Sequence, residues 1–340
     1  MLQAVMTAPG QIEFHQVDKP TPRPGDVLIR MRRIGVCGSD IHVFHGKHPY
    51  TSYPVVQGHE VSGDVAQVGE GVTGFSPGDL VTFTPQVTCG ECYPCRHGMY
   101  HICDNLKVMG FQTGGAAQEY FIVPVEKVLK LPAGISADQA AMIEPTSVAV
   151  HALGRAGDIA DKQVLVLGAG TIGNLVGQVA KALGARKVLI TDVSAYKLEK
   201  ARLSGIDAVV NTQSEELGPA LLREFGPDKA DLILECVGVQ ETISQAVSLA
   251  RKGSTIVVVG VFGQKPQVDL GLVQDRELNL VGTLMYQRSD YEKAIDLVAK
   301  GKLRLDVLVT NHFPFKQYLE AYHAIEAAKG NTMKVMIDIA

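Results

Sequence analysis

The chain of 340 residues has no apolar stretch approaching the ~20 residues needed to cross a bilayer, which excludes a membrane-spanning helix. Its opening, MLQAVMTAPGQIEF, carries no basic segment, apolar run or small-residue cleavage site. The expectation is therefore a cytoplasmic protein with reduced cysteines rather than a disulfide framework. Charge is not concentrated either. A net charge of -4 with no long run of one sign offers nucleic acid no footprint and forms no acidic tail, so a small molecule is the expected partner. Neither an internal repeat nor a low-complexity linker is visible.

What is present divides in two. At roughly 100–200 residues per domain the length suggests two domains, each with its own core. The N-terminal part has short strand-like runs broken by Gly and Pro: DVLIRMRRIGV, EVSGDVAQVG, DLVTFTP and AAQEYFIVP. After about Pro145 the texture changes to apolar runs separated by amphipathic helical stretches, QVLVLG, KVLITD, DAVVN, DLILECVG, STIVVVG and LNLVGT. That alternation predicts an α/β domain with a doubly wound parallel sheet buried on both faces. From about Met285 two helices precede a last β run, KVMIDIA; periodicity leaves open whether this tail extends the sheet or returns to the first domain.

In VLVLGAGTIGNLVG, Gly168, Gly170 and Gly173 follow a predicted strand and open a predicted helix. The first permits a tight turn, the second lets backbone approach a pyrophosphate, and the third lets helix pack on strand. Asp192 ends the next strand, where a carboxylate can accept both ribose hydroxyls and repel a 2′-phosphate, so NAD is expected over NADP. Lys197 stands near enough to soften that repulsion. A doubly wound domain whose glycines serve packing alone is the alternative.

Cys89, Cys92, Cys95 and Cys103 are spaced C-x2-C-x2-C-x7-C. Four thiolates this close can converge on one tetrahedral ion and close its coordination sphere, which predicts a structural zinc; an iron–sulfur cluster is the alternative. His97 and His101 lie within the same loop and would serve only if a cysteine were displaced. A closed sphere leaves no vacancy for substrate, so catalysis needs another centre. Cys37, in RIGVCGSDIHVFHG, and His59 with Glu60, in PVVQGHEVSGDVAQVGEGV, follow β runs at Gly-rich turns and could supply part of an open zinc site.

These residues carry a resemblance. Gly58-His59-Glu60, followed by Gly63, Gly69 and Val72, is similar to the zinc signature of the zinc-dependent medium-chain dehydrogenases, GHE-x2-G-x5-G-x2-V, and Cys37-Gly38-Ser39-Asp40, the four-cysteine lobe and the glycine turn stand in that family's order. The resemblance spans the chain. It implies a GroES-like β-barrel catalytic domain (1–146 plus 287–340, with a zinc lobe at about 86–105) and a Rossmann NAD-binding domain (147–286), with a cleft between them. It also implies two zinc ions per chain, one catalytic and one structural, and a homodimer or homotetramer.

The third catalytic ligand distinguishes subgroups. Glu144 stands before Pro145, and the sorbitol and xylitol dehydrogenases carry Glu-Pro at this point, with that Glu at or near the zinc. The resemblance thus implies Cys37, His59 and Glu144 as ligands, with Glu60 a water-bridged neighbour or an alternating ligand. It assigns Ser39 and His42 to a proton relay, and further cofactor contacts to Ile172, Val237, Val259, Gly260 and Met285. One departure counts against sorbitol itself: where the polyol enzymes commonly show Arg-Tyr, this chain has Met285-Tyr286. Phe111 could line the pocket, although core packing explains it as well. The expected activity is hydride transfer from a secondary alcohol (a polyol, sugar alcohol or sugar acid) to NAD. A threonine 3-dehydrogenase-like or diol enzyme, a zinc-free reductase and a non-catalytic NAD-binding protein are the alternatives.

Overall fold

In Asp26–Gly35 the side chains of Val27, Leu28, Ile29, Met31 and Ile34 are buried, while Arg30 faces solvent. A strand so apolar must be covered on both sides, and it sits at the centre of a seven-stranded sheet. In the computed structural model, which describes residues 1–339, that sheet runs in the order Val309–Pro314, Lys334–Asp338, Asp26–Gly35, Glu60–Val68, Leu80–Phe83 and Val128–Lys130, with Tyr120–Pro124 also paired to Asp26–Gly35. The four N-terminal β runs expected from sequence all form strands of this sheet. The chain divides into two units; the first comprises Met1–Glu144 and the chain from Val309 onward.

The register at the end of the central strand matters for function. Gly35 pairs with Glu60 on one side and with Met336 on the other, so the beginning of Glu60–Val68 and the beginning of Lys334–Asp338 meet across it. A Cβ on Gly35 would lie 2.3 Å from Glu60 Oε2 and 3.2 Å from Lys334 Cδ, so the absent side chain is what lets those two residues approach.

The second unit is Pro145–Leu308. Its six strands are the six apolar runs of the sequence, all parallel, in the order Ala208–Asn211, Lys187–Asp192, Gln163–Leu167, Leu232–Glu235, Thr255–Val258 and Asn279–Gly282. Numbered along the chain this is 3-2-1-4-5-6, the doubly wound dinucleotide fold, in which ligands bind beyond the carboxyl ends of the strands where the order reverses. That point lies between Gln163–Leu167 and Leu232–Glu235. The central strands are buried throughout, as a sheet covered by helices on both faces requires.

Residues 287–308, placed with the catalytic domain by the resemblance, cluster with this second unit instead. The helix Arg288–Ala299 buries Tyr291, Ala294, Ile295, Leu297 and Val298, and the Tyr291 ring packs edge-on against Tyr286 at 5.1 Å. The helix is tied to this unit by that ring contact and by Asp290, whose carboxylate pairs with His151 at 2.8 Å. The first unit takes the chain back only at Val309.

Candidate catalytic metal site and dinucleotide turn

Cys37 ends the chain leaving the central strand and caps the helix Gly38–Phe44, while His59 and Glu60 open the neighbouring strand. Sheet pairing thus brings together residues more than twenty positions apart. Donor atoms of Cys37, His59 and Glu60 all lie within 4.8 Å of one another. His59 and Glu60 are buried and Cys37 is half-buried. Thiol, imidazole and carboxylate form a donor set suited to Zn2+, and burial adds the demand for a cation among acidic groups.

Glu144 falls outside this donor set. It is buried, and its charge acts on both His59 and Lys334, so it stands beside the cluster without joining its closest donors. Glu60, in turn, is not unattended. Lys334 Nζ donates to Glu60 Oε2 and, at 3.1 Å, to the carbonyl of Val36. Burial alone would lower the pKa of Lys334, but Glu60 and Cys37 raise it, keeping the ammonium charged.

Asp40 joins the two other donors. Its Oδ2 accepts the N–H of Cys37 at 2.9 Å, and its Oδ1 lies 3.7 Å from His59 Nδ1. Burial pushes the Asp40 carboxyl upward, and His59 and the Cys37 N–H oppose that shift. Burial likewise opposes a charge on His59, yet Asp40, Cys37 and Glu144 outweigh it and push the imidazole up to about 10. Such a cluster of acidic groups favours positive charge at its centre.

Ser39 lies half-buried on the helix after Cys37, and His42 is exposed on the same helix. Phe111 is buried, with its ring 4.8 Å from that of His59 and stacked on His48 at 4.9 Å. It therefore packs directly against a candidate ligand.

The four cysteines form a separate cluster. Their sulfurs also lie within 4.8 Å of one another, with Cys89–Cys103 at 3.5 Å and Cys92–Cys103 at 3.8 Å. Thiolates each ~2.3 Å from one tetrahedral centre would be about 3.8 Å apart, so the spacing fits a zinc and not a disulfide. Backbone N–H groups of Cys89, Cys92 and Asn105 point at these sulfurs at 3.3–3.4 Å. Those of Glu91 and Cys92 pull the Cys89 thiol down to about 6. His97 bonds instead to the carbonyl of Tyr93 and belongs to neither cluster; His101 is likewise outside both.

In the second unit, Gly168 directly follows the strand Gln163–Leu167 with φ +101°, and Gly170 caps the helix Thr171–Ala182. A Cβ on Gly173 would lie 1.9 Å from the Gly168 carbonyl, whereas one on Gly170 would meet nothing within 4 Å. The third glycine is thus required for packing, and the second leaves backbone open to a ligand. Asn174 ties the turn down through the Ala169 carbonyl at 2.6 Å. Asp192 accepts the N–H groups of Ala169 and Ser194, each at 2.8 Å, which fixes its carboxylate beside the glycine turn. Ile172 lies in the first turn of that helix, and Lys197 is held near Asp192 by its N–H to Ser194 Oγ.

Across the reversal point, Val237 is exposed after the strand Leu232–Glu235, and Val259 and Gly260 follow the next strand. Met285 takes a left-handed φ of +53°, uncommon for a side chain with a Cβ. Sequence reasoning missed Glu235. It is fully buried at this end of the sheet, and its Oε1 accepts from Val237 N, Gly238 N and Thr242 Oγ1 at 2.7–2.9 Å. Also missed were Gln57, Tyr322 and Lys334; of these, only the lysine heading the apolar run KVMIDIA stands out in the sequence.

Comparison with known proteins agrees with both units. Residues 23–133 match the alcohol dehydrogenase GroES-like domain, and residues 171–300 match the zinc-binding dehydrogenase domain. Sorbitol dehydrogenase of Halalkalibacterium halodurans is 37% identical over 99% of each chain. L-threonine 3-dehydrogenase of Pyrococcus horikoshii is 33% identical, again over 99% of each. Among solved structures, galactitol-1-phosphate dehydrogenase from Escherichia coli superimposes with a TM-score of 0.91 at 30% identity, covering all of both chains. Two domain matches in the order the fold requires, and relatives aligned from end to end, place the chain in the zinc-dependent medium-chain dehydrogenase family of oxidoreductases.

Proposed function

We propose that this enzyme transfers a hydride from a secondary alcohol (a polyol, sugar alcohol or sugar acid) to NAD, giving a ketone, with one catalytic and one structural zinc. The observation that carries this reading is the convergence of Cys37, His59 and Glu60 within 4.8 Å, apart from the four-cysteine cluster. Zinc bound by these donors would act as a Lewis acid on a hydroxyl, and a nicotinamide would accept the hydride. Cys37 and His59 are the constant ligands, and Glu60 and Glu144 compete for the third place, with Lys334 restraining Glu60. Ser39 and His42, three residues apart on one helix, form the path by which the hydroxyl proton leaves. Gly168, Gly170 and Gly173 seat the pyrophosphate at the helix N-terminus. Asp192 holds the ribose, and its charge disfavours a 2′-phosphate, with Lys197 beside it; Ile172, Val237, Val259, Gly260 and Met285 complete the cofactor contacts.

The sorbitol, galactitol-phosphate and threonine activities named for similar proteins bracket the substrate class. Glu144-Pro145 favours a polyol or sugar acid over threonine, and Met285 in place of the arginine favours one other than sorbitol. Among the described residues no helix is long and apolar enough to cross a membrane, and no cysteine is in a disulfide, which supports a cytoplasmic site of action. A homodimer or homotetramer belongs to the same reading; the strand Asn279–Gly282 ends its sheet with Leu280 exposed, consistent with a covering subunit.

The test is NADH formation against a panel of polyols, sugar acids, diols and threonine, alongside metal analysis. Turnover of a secondary alcohol by protein holding about two zinc ions per chain is the expected result. No turnover of any panel member, with one zinc or none, would overturn the reading.

A further inference from the structure

The buried side of His59 carries a polar chain that the reaction itself does not call for. Gln57, Asp40, Tyr318 and Tyr322 are all buried in the first unit. Tyr322, on the helix Tyr318–Ala327, donates its hydroxyl to Gln57 Oε1 at 2.6 Å. Gln57 Nε2 donates in turn to Asp40 Oδ1 at 3.2 Å and to the Asp40 carbonyl at 3.4 Å. The same Oδ1 faces His59 Nδ1 at 3.7 Å, an ion-pair distance, and that buried nitrogen has no hydrogen-bond partner. The phenol ring of Tyr322 is itself clamped, stacked on Phe44 at 4.7 Å and packed against Tyr318 at 5.7 Å.

We propose that Tyr322 and Gln57 are positioning residues for the metal centre: acting through Asp40, they fix which nitrogen of His59 carries the proton and which presents its lone pair to the ion. This rests on the assignment of Cys37 and His59 as metal ligands. Donor and acceptor roles decide how each group in the chain must face. The Asp40 carbonyl can only accept, and that settles the orientation of the Gln57 amide, whose oxygen is left to accept from the Tyr322 hydroxyl. The amide NH2 thus faces Asp40 and donates, which favours an Asp40 that accepts. An accepting Asp40 favours a proton on Nδ1 of His59, and a neutral imidazole so protonated keeps its lone pair on Nε2. Asp40 Oδ2 meanwhile holds the N–H of Cys37, so displacement of Asp40 would disturb two ligands together. The C-terminal helix, 265 residues from Gln57 along the chain, is thereby coupled to the metal geometry.

The experiment uses the full-length zinc-loaded protein and its Tyr322→Phe and Gln57→Glu variants. Tyr322→Phe removes the donor to Gln57, whereas Gln57→Glu keeps the acceptor for Tyr322 and replaces the donors to Asp40. Thr82→Val is the control, since it deletes a buried hydrogen bond to the Val61 carbonyl in the same sheet but outside this chain. Zinc release to a chromophoric chelator is followed, together with the visible spectrum after cobalt replaces the more labile zinc. Each network variant is expected to release that zinc at least ~10-fold faster than the wild type and to shift the cobalt bands. The four-cysteine zinc and the control should be unchanged. Wild-type release rates and cobalt spectra in both variants would overturn the proposal while leaving the functional reading intact. Wild-type protein with no metal beyond the four-cysteine site would overturn both. If Tyr322→Phe fails to fold, the comparison rests on Gln57→Glu and the same two readouts.

Discussion

Lys334 and Glu60 form a buried ion pair across the space left open by Gly35, with the lysine contributed by the last strand of the chain. The pair determines what Glu60 can do. A carboxylate held by an ammonium can approach a metal only by sharing or exchanging its partner, so a zinc at the proposed site would depend on a residue outside its ligands.

This pair predicts a strong thermodynamic coupling. Lys334→Met leaves Glu60 buried without its counter-charge and should destabilise the fold by about 3–5 kcal/mol. The double variant Lys334→Met/Glu60→Gln should lose well under the sum of the two single effects, as urea denaturation at matched zinc content would measure. Because the pKa of Lys334 is raised above its usual 10.5, the stabilisation is complete below that value and declines only as pH rises through the folded-state pKa. Lys334 itself should therefore add no pH dependence to wild-type stability between about pH 6 and about pH 9.

Glu144→Ala should lower kcat/KM by at least ~100-fold, as expected for loss of a metal ligand or of a group that displaces one. Zinc content and steady-state rates should be measured on the same preparation. Near-normal turnover would leave Glu60 alone as the third ligand.

The four-cysteine cluster should be separable from catalysis. Cys89→Ser is expected to reduce zinc from about two to about one per chain and to lower Tm, while turnover per remaining folded molecule at low temperature is largely retained. Loss of all zinc-dependent activity in a folded variant would mean that this cluster takes part in the reaction.

Asp192 should govern cofactor choice. Removing a charged acceptor from the ribose typically costs about 1.5–3 kcal/mol, so Asp192→Ala should cut the NAD-to-NADP ratio of kcat/KM by roughly 10- to 100-fold. An unchanged ratio would place discrimination elsewhere, with Lys197 the next candidate.

How far these residues could be read in advance depended on how local their constraints are. The four cysteines span a single loop, so their spacing alone restricts them to converge. Gly168, Gly170 and Gly173 lie in one strand-to-helix turn, where each glycine has a short-range steric reason. The six apolar runs of the second unit advertise strands buried on both faces. In contrast, nothing in the Rossmann-like texture extends that unit to Leu308, because the apolar stripe on Arg288–Ala299 calls for a buried face without naming what buries it.

By itself, then, the amino-acid order determined the two-domain α/β architecture, the dinucleotide turn, the cysteine cage and the presence of Cys37, His59, Glu60 and Glu144 as candidate ligands. Tertiary structure decided which carboxylate joins the closest donors and which side chains stand behind them. Lys334 meets Glu60 across 274 positions, and Tyr322 meets Gln57 across 265. Hydrophobic periodicity encodes which way a side chain faces, but the identity of its neighbour depends on strand order and register. Those follow only once the whole sheet has formed.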